Sequence, residues 1–216
     1  MQPLDYPGSP ATVPGLLTRD GDWRELGGDP VPGRLRRGRV CVVAVGSNAA
    51  PQVLAAKLRA AGVPVEVALV PCRLDGLAVA HSAHVSPAGY VATTALAAPG
   101  ERTPVVASWF TDDQLTALDA TEPNYTRRAL PTTVTGAPTG AETYVSRWGV
   151  LAPGGVALAP TTQRDVHRLL ATDPELAGLL PRDDGPATVR ALLDPPVRDR
   201  VRQRLVDLGW VSPTGL

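Results

Sequence analysis

Residues 63–110 alternate between short apolar runs and Pro or Gly signals, and this rhythm constrains the fold more than any other feature of the sequence. The runs are strand-like in composition and recur at intervals of about ten residues. They read VPVEVALVP, RLDGLAVAHSAHV, GYVATTALAA and TPVVASWF. Such spacing is typical of a β-meander or a small barrel, so we expect a block of strands in the middle of the chain.

Two elements are predicted before this block. The run GRVCVVAVGSN contains five consecutive apolar residues, Cys41 to Val45, and predicts a buried strand that ends at Gly46. The next run, APQVLAAKLRAAG, predicts a helix with Pro51 in its first turn and Gly62 at its C-terminal stop. Residues 1–38 carry six prolines and seven glycines, so we expect an irregular arm there.

After Phe110 the pattern becomes helical, then extended, then helical again. TDDQLTALDA predicts a short helix with a Thr or Asp N-cap, and two strands follow around YTRRALPTTV and ETYVSRWGVL. From Thr161 we expect helices in TTQRDVHRLLA, PATVRALL and PPVRDRVRQRLVDLGW. A strand, a helix, a block of strands with a helical insertion and a helical tail together predict an α+β fold.

Charge and composition limit the partners of the chain. Its 216 residues are 44% hydrophobic, and 21 Lys and Arg residues balance 21 Asp and Glu residues. No overall field attracts nucleic acid or an anionic membrane, so we expect a small neutral or zwitterionic partner. The sequence shows neither a secretory signal pattern nor an apolar run that could span a bilayer, which predicts a cytoplasmic protein. Arginine supplies 20 of the 21 basic residues, as is typical of GC-rich bacterial genomes.

Cysteine and histidine give no metal-binding pattern. Cys41 and Cys72 lie in apolar segments without CxxC spacing, so we expect buried free thiols. His81 and His84 lie three apart on a predicted strand and therefore point to opposite faces, which favours ordinary hydrogen bonds over a shared metal. His167 has polar neighbours on a predicted helix, and we expect it to be exposed.

The strand-to-helix turn VGSNAAP is the first candidate site. A glycine at the end of a buried strand lets the chain turn sharply, and the amides that follow point outward at the mouth of a helix. Such donors suit an anion or a developing oxyanion. Alternatively, Gly46 only turns the chain and Asn48 only caps the helix.

Glu122 is the second candidate. It follows Leu118 by four residues, so a continued helix would place it on the apolar face. Pro123 ends the helix just before it, which leaves the carboxylate at the helix exit and directed toward the core. Partial desolvation of a carboxyl group raises its pKa and suits it to proton transfer. Alternatively, the residue pairs with Arg127 or Arg128, or faces solvent.

These two candidate sites, in this order and with strands between them, resemble the gamma-glutamylcyclotransferase-like family, including its gamma-glutamylamine cyclotransferase branch. That family has a Tyr-Gly-Ser-Asn-Leu loop after a strand, a helix, strands with an Ala-Thr segment, a Leu-Asp-x-x-Glu helix and a Tyr-x-Arg strand. The resemblance spans about residues 40–148. Its counterparts in this sequence are Gly46, Ser47 and Asn48 in the loop, Ala92 and Thr93 in GYVATTAL, Leu118, Asp119 and Glu122 in LDATE, and Tyr125 and Arg127 in YTR.

The resemblance implies a small mixed β-barrel with short helices at residues 39–152, between the arm at 1–38 and a C-terminal helical extension at 153–216 that packs on it. It implies an enzyme of transferase or lyase type that releases 5-oxoproline from a gamma-glutamyl amide without metal or other cofactor. The substrate's own amine attacks its γ-carbonyl, and Glu122 is the general acid and base. The residues that it places around the substrate are Val45, Gly46, Ser47, Asn48, Thr93 and Tyr125.

The sequence departs from the family pattern in the loop and after the glutamate. Val45 stands where the family has tyrosine, Ala49 where it has leucine, and Pro123 where glycine is frequent. The altered loop favours an alternative, a non-catalytic barrel that binds a small amino-acid-like ligand or a protein partner. Ser47 lacks the GxSxG context of a serine hydrolase, so a nucleophilic role is the weakest alternative. Neither the amine of the substrate nor the oligomeric state is predicted.

Overall fold

Strands and helices are interspersed along the chain. The protein, as a computed structural model, is described at residues 1–28, 31–181 and 185–216. The strands are β1 (Gly15–Leu17), β2 (Trp23–Glu25), β3 (Val40–Ala44), β4 (Val67–Val85), β5 (Val91–Phe110), β6 (Tyr125–Ala129), β7 (Glu142–Ser146), β8 (Val150–Leu151) and β9 (Val211–Ser212). The α-helices are α1 (Pro51–Ala60), α2 (Asp112–Thr121), α3 (Gln163–Leu170), α4 (Pro174–Leu179), α5 (Gly185–Leu192) and α6 (Pro195–Asp207). The predicted α+β class is confirmed.

Tertiary contacts divide the chain into two compact units. The sheet unit comprises residues 7–78, 95–145 and 216, and the tail unit comprises residues 1–6, 79–94 and 146–215. Strands β4 and β5 contribute residues to both units, whereas α1 and α2 belong to the sheet unit and α3 to α6 to the tail unit. The predicted domain boundaries at residues 38 and 152 stay a prediction.

The sheet unit is built on strands in the order β2-β1-β4-β5-β3-β7-β6. Strand β3 pairs antiparallel with β5 and parallel with β7. Because β3 has neighbours on both edges and residues 41–44 are all buried, its sequence is an unbroken apolar run. In the part of the chain that the structure describes, no pairing between β2 and β6 closes the sheet, so the predicted barrel is not confirmed.

Strands β4 and β5 are longer than the sequence predicts. The four predicted runs between residues 63 and 110 are joined into these two strands, of 19 and 20 residues. Gly76 has a φ of +84° inside β4, and a Cβ there would lie 2.6 Å from the carbonyl oxygen of Thr133. The glycine therefore lets the strand bend beside another backbone segment instead of ending it.

The N-terminal segment is more regular than predicted. Strand β1 pairs antiparallel with both β2 and β4, so residues 7–38 add two three-residue strands to the sheet. Leu16, Leu26 and Leu35 are buried in one apolar cluster with Ala68 of β4. These leucines follow neither a helical nor a strand period, which is why the local pattern does not reveal their burial.

The tail unit has its own apolar core. Helices α3, α5 and α6 form where helices are predicted. Helix α4 was not predicted, because its six residues are too few to show a helical period. The buried members of this core are Ala83, Val85, Val91, Leu151, Val166, Leu170, Leu176, Leu180, Leu192, Val201 and Leu205. Strand β8 pairs with β9 and, at Ser82↔Val150, with β4.

Candidate functional site

The strand-to-helix turn forms as the sequence predicts. Strand β3 ends at Ala44, residues 47–49 form a single 3₁₀ turn, and α1 begins at Pro51. Proline suits that first helical position because it has no N–H to leave unpaired. The N-cap of α1 is Ala50, without a side-chain hydrogen bond, so Asn48 does not cap the helix.

Glu122 lies at the end of α2, as predicted. The helix follows the N-cap Thr111 and stops at Thr121, and Glu122 is the C-terminal cap with φ −119° and ψ 52°. Leu115 and Leu118 are buried, which confirms the inward register read from their spacing. The Glu122 side chain is 15% exposed, so its carboxylate is largely withdrawn from water but still accessible.

Glu122 and Asn48 are in direct contact, although 74 residues separate them. Asn48 Nδ2 donates to Glu122 Oε1 at 3.1 Å. The Lys57 ammonium, on α1, donates to the same oxygen at 2.6 Å and to Asn48 Oδ1 at 2.8 Å. We call these three residues the Lys57–Asn48–Glu122 cluster. The second carboxylate oxygen, Oε2, accepts no hydrogen bond from any residue that the structure describes.

Lys57 is the member of the cluster that the sequence predictions missed. It is the ion-pair partner of Glu122, in place of the arginines considered from the sequence, and its side chain is 20% exposed. Lys57 is also the sole lysine among 21 basic residues. An arginine-rich composition explains the other 20 cations and not this one, so the isolated lysine was a signal that could have drawn attention to Lys57, although nothing in the sequence connects it with Glu122.

A second polar cluster lies one turn earlier on α2. Arg127 donates to both carboxylate oxygens of Asp119, at 3.0 and 3.1 Å, and also binds Glu142. The Tyr144 hydroxyl donates to Asp119 Oδ1 at 2.7 Å. The Arg127 hydrogen bonds hold the pKa of Asp119 below its usual range. Burial is the largest cause that raises the pKa of Tyr144, and the hydrogen bond to Asp119 is the second. The negative charge of Glu122 raises it further.

A cavity of about 480 Å³ borders the Gly-Ser-Asn loop. Val45 and Gly46 line it, but Ser47, Asn48 and Glu122 are not among its lining residues. The loop therefore borders the cavity through one end and contacts Glu122 through Asn48 at the other. The lining residues are Pro7, Pro10, Ala11, Thr12, Ala44, Val45, Gly46, Ala49, Pro71, Cys72, Arg73, Pro104, Val105 and Val106.

The remaining predicted binding residues are buried. Ser47 and Tyr125 belong to the sheet unit, and the Tyr125 N–H donates to the Glu122 carbonyl at 3.0 Å. Thr93 belongs to the tail unit, where its N–H donates to the Tyr6 hydroxyl at 2.9 Å. Their predicted roles in substrate binding stay predictions.

The histidines are all in the tail unit and all buried. The backbone N–H of Thr161 donates to His81 Nε2 at 3.1 Å, and His84 Nδ1 lies 2.6 Å from Ser82 Oγ. This strand pair makes ordinary hydrogen bonds, as predicted. His167 is only 7% exposed, so the expectation that it faces solvent is wrong. It lies on the inward face of α3, where Val166 and Leu170 are also buried.

Cysteine, metal and membrane features are limited. Both cysteines are free thiols, with Cys41 buried and Cys72 half-buried. Among residues 1–28, 31–181 and 185–216, no three His, Cys, Asp or Glu side chains are placed to hold a metal ion. None of the described helices is long and apolar enough to cross a bilayer.

Comparison with known proteins assigns no family to the chain. No family model matches the sequence. No curated protein matches it either. A solved structure of a gamma-glutamyl cyclotransferase shares 13% sequence identity with it at a TM-score of 0.44, and the match covers 76% of this chain and 99% of that chain. The chemistry of the candidate site therefore depends on the geometry of its own residues.

Proposed function

We propose that this protein is a gamma-glutamylcyclotransferase-like enzyme with Glu122 as its general acid and base. The observation that carries the proposal is the 3.1 Å hydrogen bond from Asn48 to Glu122. It joins the Gly-Ser-Asn loop to the end of the LDATE helix, the two parts of the sequence that carry the resemblance to that family. A partly buried acid beside a loop that carries amide donors suits acyl transfer.

In the proposed reaction, the α-amine of a gamma-glutamyl amide attacks its own γ-carbonyl, and 5-oxoproline forms as the amine leaves. Because the nucleophile is tethered, proximity supplies much of the acceleration. Glu122 removes a proton from the attacking amine and delivers one to the leaving amine. Its Oε2 suits this work, since Oε1 is held by Asn48 and Lys57.

The loop supplies the remaining parts of the proposed site. We assign the backbone amides between Gly46 and Asn48 to the developing oxyanion, which fixed donors stabilise without reorganisation. The cavity beside Val45 has the volume of a small-molecule site, about 480 Å³, but Glu122 and Asn48 do not line it, so the proposed substrate must extend from the cavity past Gly46 to reach Glu122. Its lining is mostly apolar, with Arg73 as its one charged residue.

The test is 5-oxoproline release from a panel of gamma-glutamyl dipeptides and gamma-glutamylamines. We expect turnover by the wild-type chain and a loss of about 10²- to 10⁴-fold in kcat for Glu122→Gln, the range for a missing acid and base. Glu101→Gln is the matched control, because Glu101 is an exposed acid of the sheet unit. Circular dichroism and thermal melting establish that both variants are folded.

Two results would contradict the assignment. If no substrate of the panel yields 5-oxoproline, the proposed activity is wrong. If Glu122→Gln retains the wild-type rate while 5-oxoproline is formed, the activity stands and the role of Glu122 is wrong.

One observation favours a second candidate function, a non-catalytic domain that binds a small amino-acid-like ligand. The Lys57 ammonium already occupies Glu122 Oε1 at 2.6 Å, so the carboxylate is neutralised by a residue of the chain itself. A binder of this kind would use the cavity beside Val45 and Gly46 without chemistry at Glu122. Thermal stabilisation by gamma-glutamyl compounds without 5-oxoproline release would identify it.

A further inference from the structure

The Lys57–Asn48–Glu122 cluster contains every group that an amide exchange between two side chains requires. Lys57 offers a primary amine, and Asn48 offers a carboxamide whose oxygen lies 2.8 Å from that amine. Glu122 offers a proton carrier. We propose that Lys57 Nζ and Asn48 Cγ become joined by an intramolecular isopeptide bond, formed with Glu122 as the proton carrier and with release of ammonia.

The position of Glu122 Oε1 is the strongest argument for this bond. The oxygen lies 2.6 Å from Lys57 Nζ, the nucleophile, and 3.1 Å from Asn48 Nδ2, the leaving group. Amide exchange requires a proton to be taken from the first nitrogen and given to the second. A single carboxylate oxygen within hydrogen-bond distance of both performs the two transfers without movement of the backbone.

The reaction balances without any oxidant or reductant. The Lys57 ammonium gives a proton to Glu122, and the neutral Nζ attacks Asn48 Cγ to form a tetrahedral oxyanion on Oδ1. The carbonyl re-forms as the Cγ–Nδ2 bond breaks, and the Glu122 proton passes to Nδ2. Nζ then gives its second proton back to the Glu122 carboxylate, which passes it to the departing ammonia. In sum, one ammonium and one carboxamide give one secondary amide and one ammonium ion.

Proximity and partial burial favour the step. The two partners are nine residues apart in sequence and are held in place by the 3₁₀ turn after β3 and by α1. Groups fixed in this way react as though at very high concentration. The side chains of Lys57 and Glu122 are 20% and 15% exposed, which limits the access of water that would compete with Lys57 for Asn48 Cγ.

The bond does not depend on the proposed cyclotransferase activity, because no substrate takes part in it. It would nevertheless change that site, since a secondary amide carries no charge. Glu122 would lose its cation and would retain only neutral hydrogen-bond donors. The cross-link would then act as a maturation step that frees the carboxylate for proton transfer.

Intact mass spectrometry of the full chain, held at neutral pH until its mass is constant, tests the proposal. We expect a mass about 17 Da below that of the sequence, which corresponds to one ammonia. An amine-reactive reagent should then label the N-terminus alone, because Lys57 is the sole lysine. Lys57→Arg and Glu122→Gln should keep the full mass, and Asn48→Asp should lose about 18 Da, as water.

Peptide mapping distinguishes the bond from other losses of ammonia. Trypsin does not cleave after an acylated lysine, so the peptide that begins at Val40 should continue to Arg59. Its fragment spectrum should contain no backbone breaks between Asn48 and Lys57. A succinimide at Asn48 also lacks one ammonia, but it leaves Lys57 cleavable and open to the amine reagent.

An unshifted mass with labelled Lys57 would overturn the proposal, and so would a shifted mass with labelled Lys57. Neither result measures 5-oxoproline release, which is assayed separately. Conversely, a chain that is cross-linked but releases no 5-oxoproline would support the isopeptide bond and contradict the proposed enzyme activity.

Discussion

Asp119 anchors the residues next to the candidate acid. It lies three positions before Glu122, and its carboxylate accepts two hydrogen bonds from Arg127 and one from Tyr144. A fork of two parallel bonds fixes direction as well as distance. The last turn of α2 is therefore fixed from outside the helix, and Glu122, which follows it directly, is fixed in direction as a result.

Tyr144→Phe removes one bond of this network and leaves the ring in place. We expect the free energy of unfolding to fall by about 1.5–3 kcal/mol, the usual net value of a hydrogen bond to a charged group. Urea denaturation measures it. In an Asp119→Ala background the same change should have almost no effect, because its acceptor is gone. Equal losses in the two backgrounds would show that the hydroxyl bond contributes nothing.

For single residues, the sequence predicts the direction of a side chain better than it predicts which residue that side chain contacts. The inward direction of Glu122 follows from its register with Leu118 and from Pro123, both of which are local. Its partner Lys57 is 65 residues away, and no spacing rule connects the two. The same limit applies to His167. Its polar sequence neighbours predict that it is exposed, but its side chain is buried.

Helix α2 positions the candidate acid and is stabilised at its start by a reciprocal cap. The Thr111 side chain accepts from the Gln114 N–H, and Gln114 Oε1 accepts from the Thr111 N–H at 3.0 Å. Gln114 is buried, and its Nε2 donates to the Pro64 carbonyl at 2.7 Å. The cap thus ties the first turn of α2 to the segment that precedes β4.

Thr111→Ala removes the side-chain half of this cap. We expect a loss of about 1 kcal/mol in the free energy of unfolding, as for other N-cap residues. Thr111→Ser keeps a hydroxyl at the N-cap and should restore most of that stability, which thermal and urea denaturation would measure. A serine variant as unstable as the alanine variant would show that the hydroxyl is not what stabilises the helix.

Element boundaries follow the sequence where the signals are local and fail where they are not. Pro51 and Gly62 mark the limits of α1, and Thr111 and Pro123 mark those of α2, because caps and stops act within one turn. The break predicted inside β4, after Pro71, does not occur, and β4 also continues through Gly76, which bends the strand beside Thr133 without ending it. Whether a glycine ends or bends a strand is decided by a neighbour that is distant in sequence.

At the scale of the whole molecule, each unit is assembled from separate stretches of chain. The tail unit joins residues 1–6 and 79–94 to residues 146–215. No change in composition along the sequence predicts this grouping. One chemical consequence is that all three histidines belong to the tail unit. Burial lowers the pKa of His81, brings that of His84 to about 3 and brings that of His167 to about 4.

These shifts predict that the tail unit is labile to acid. Each histidine stays neutral in the folded state at a pH where the unfolded chain, with a pKa near 6.5, already binds a proton. The unfolded state therefore binds more protons, and the free energy of unfolding falls as pH decreases from about 6.5 toward about 4. For His167 alone the loss at pH 5 is about 2 kcal/mol.

His167→Phe should remove that share of the acid sensitivity. Neither ring nitrogen of His167 has a hydrogen-bond partner in the described parts of the chain, so we expect the aromatic replacement to change stability little at pH 7. Urea denaturation at pH 7 and pH 5 should show a smaller loss for the variant than for the wild-type chain. Tyr144→Phe is the control: the pKa of its acceptor Asp119 is held below the usual range, so that carboxylate stays ionised at both pH values. Equal losses in His167→Phe and the wild type would mean that His167 is already protonated in the folded state at pH 5, contrary to the effect of its burial.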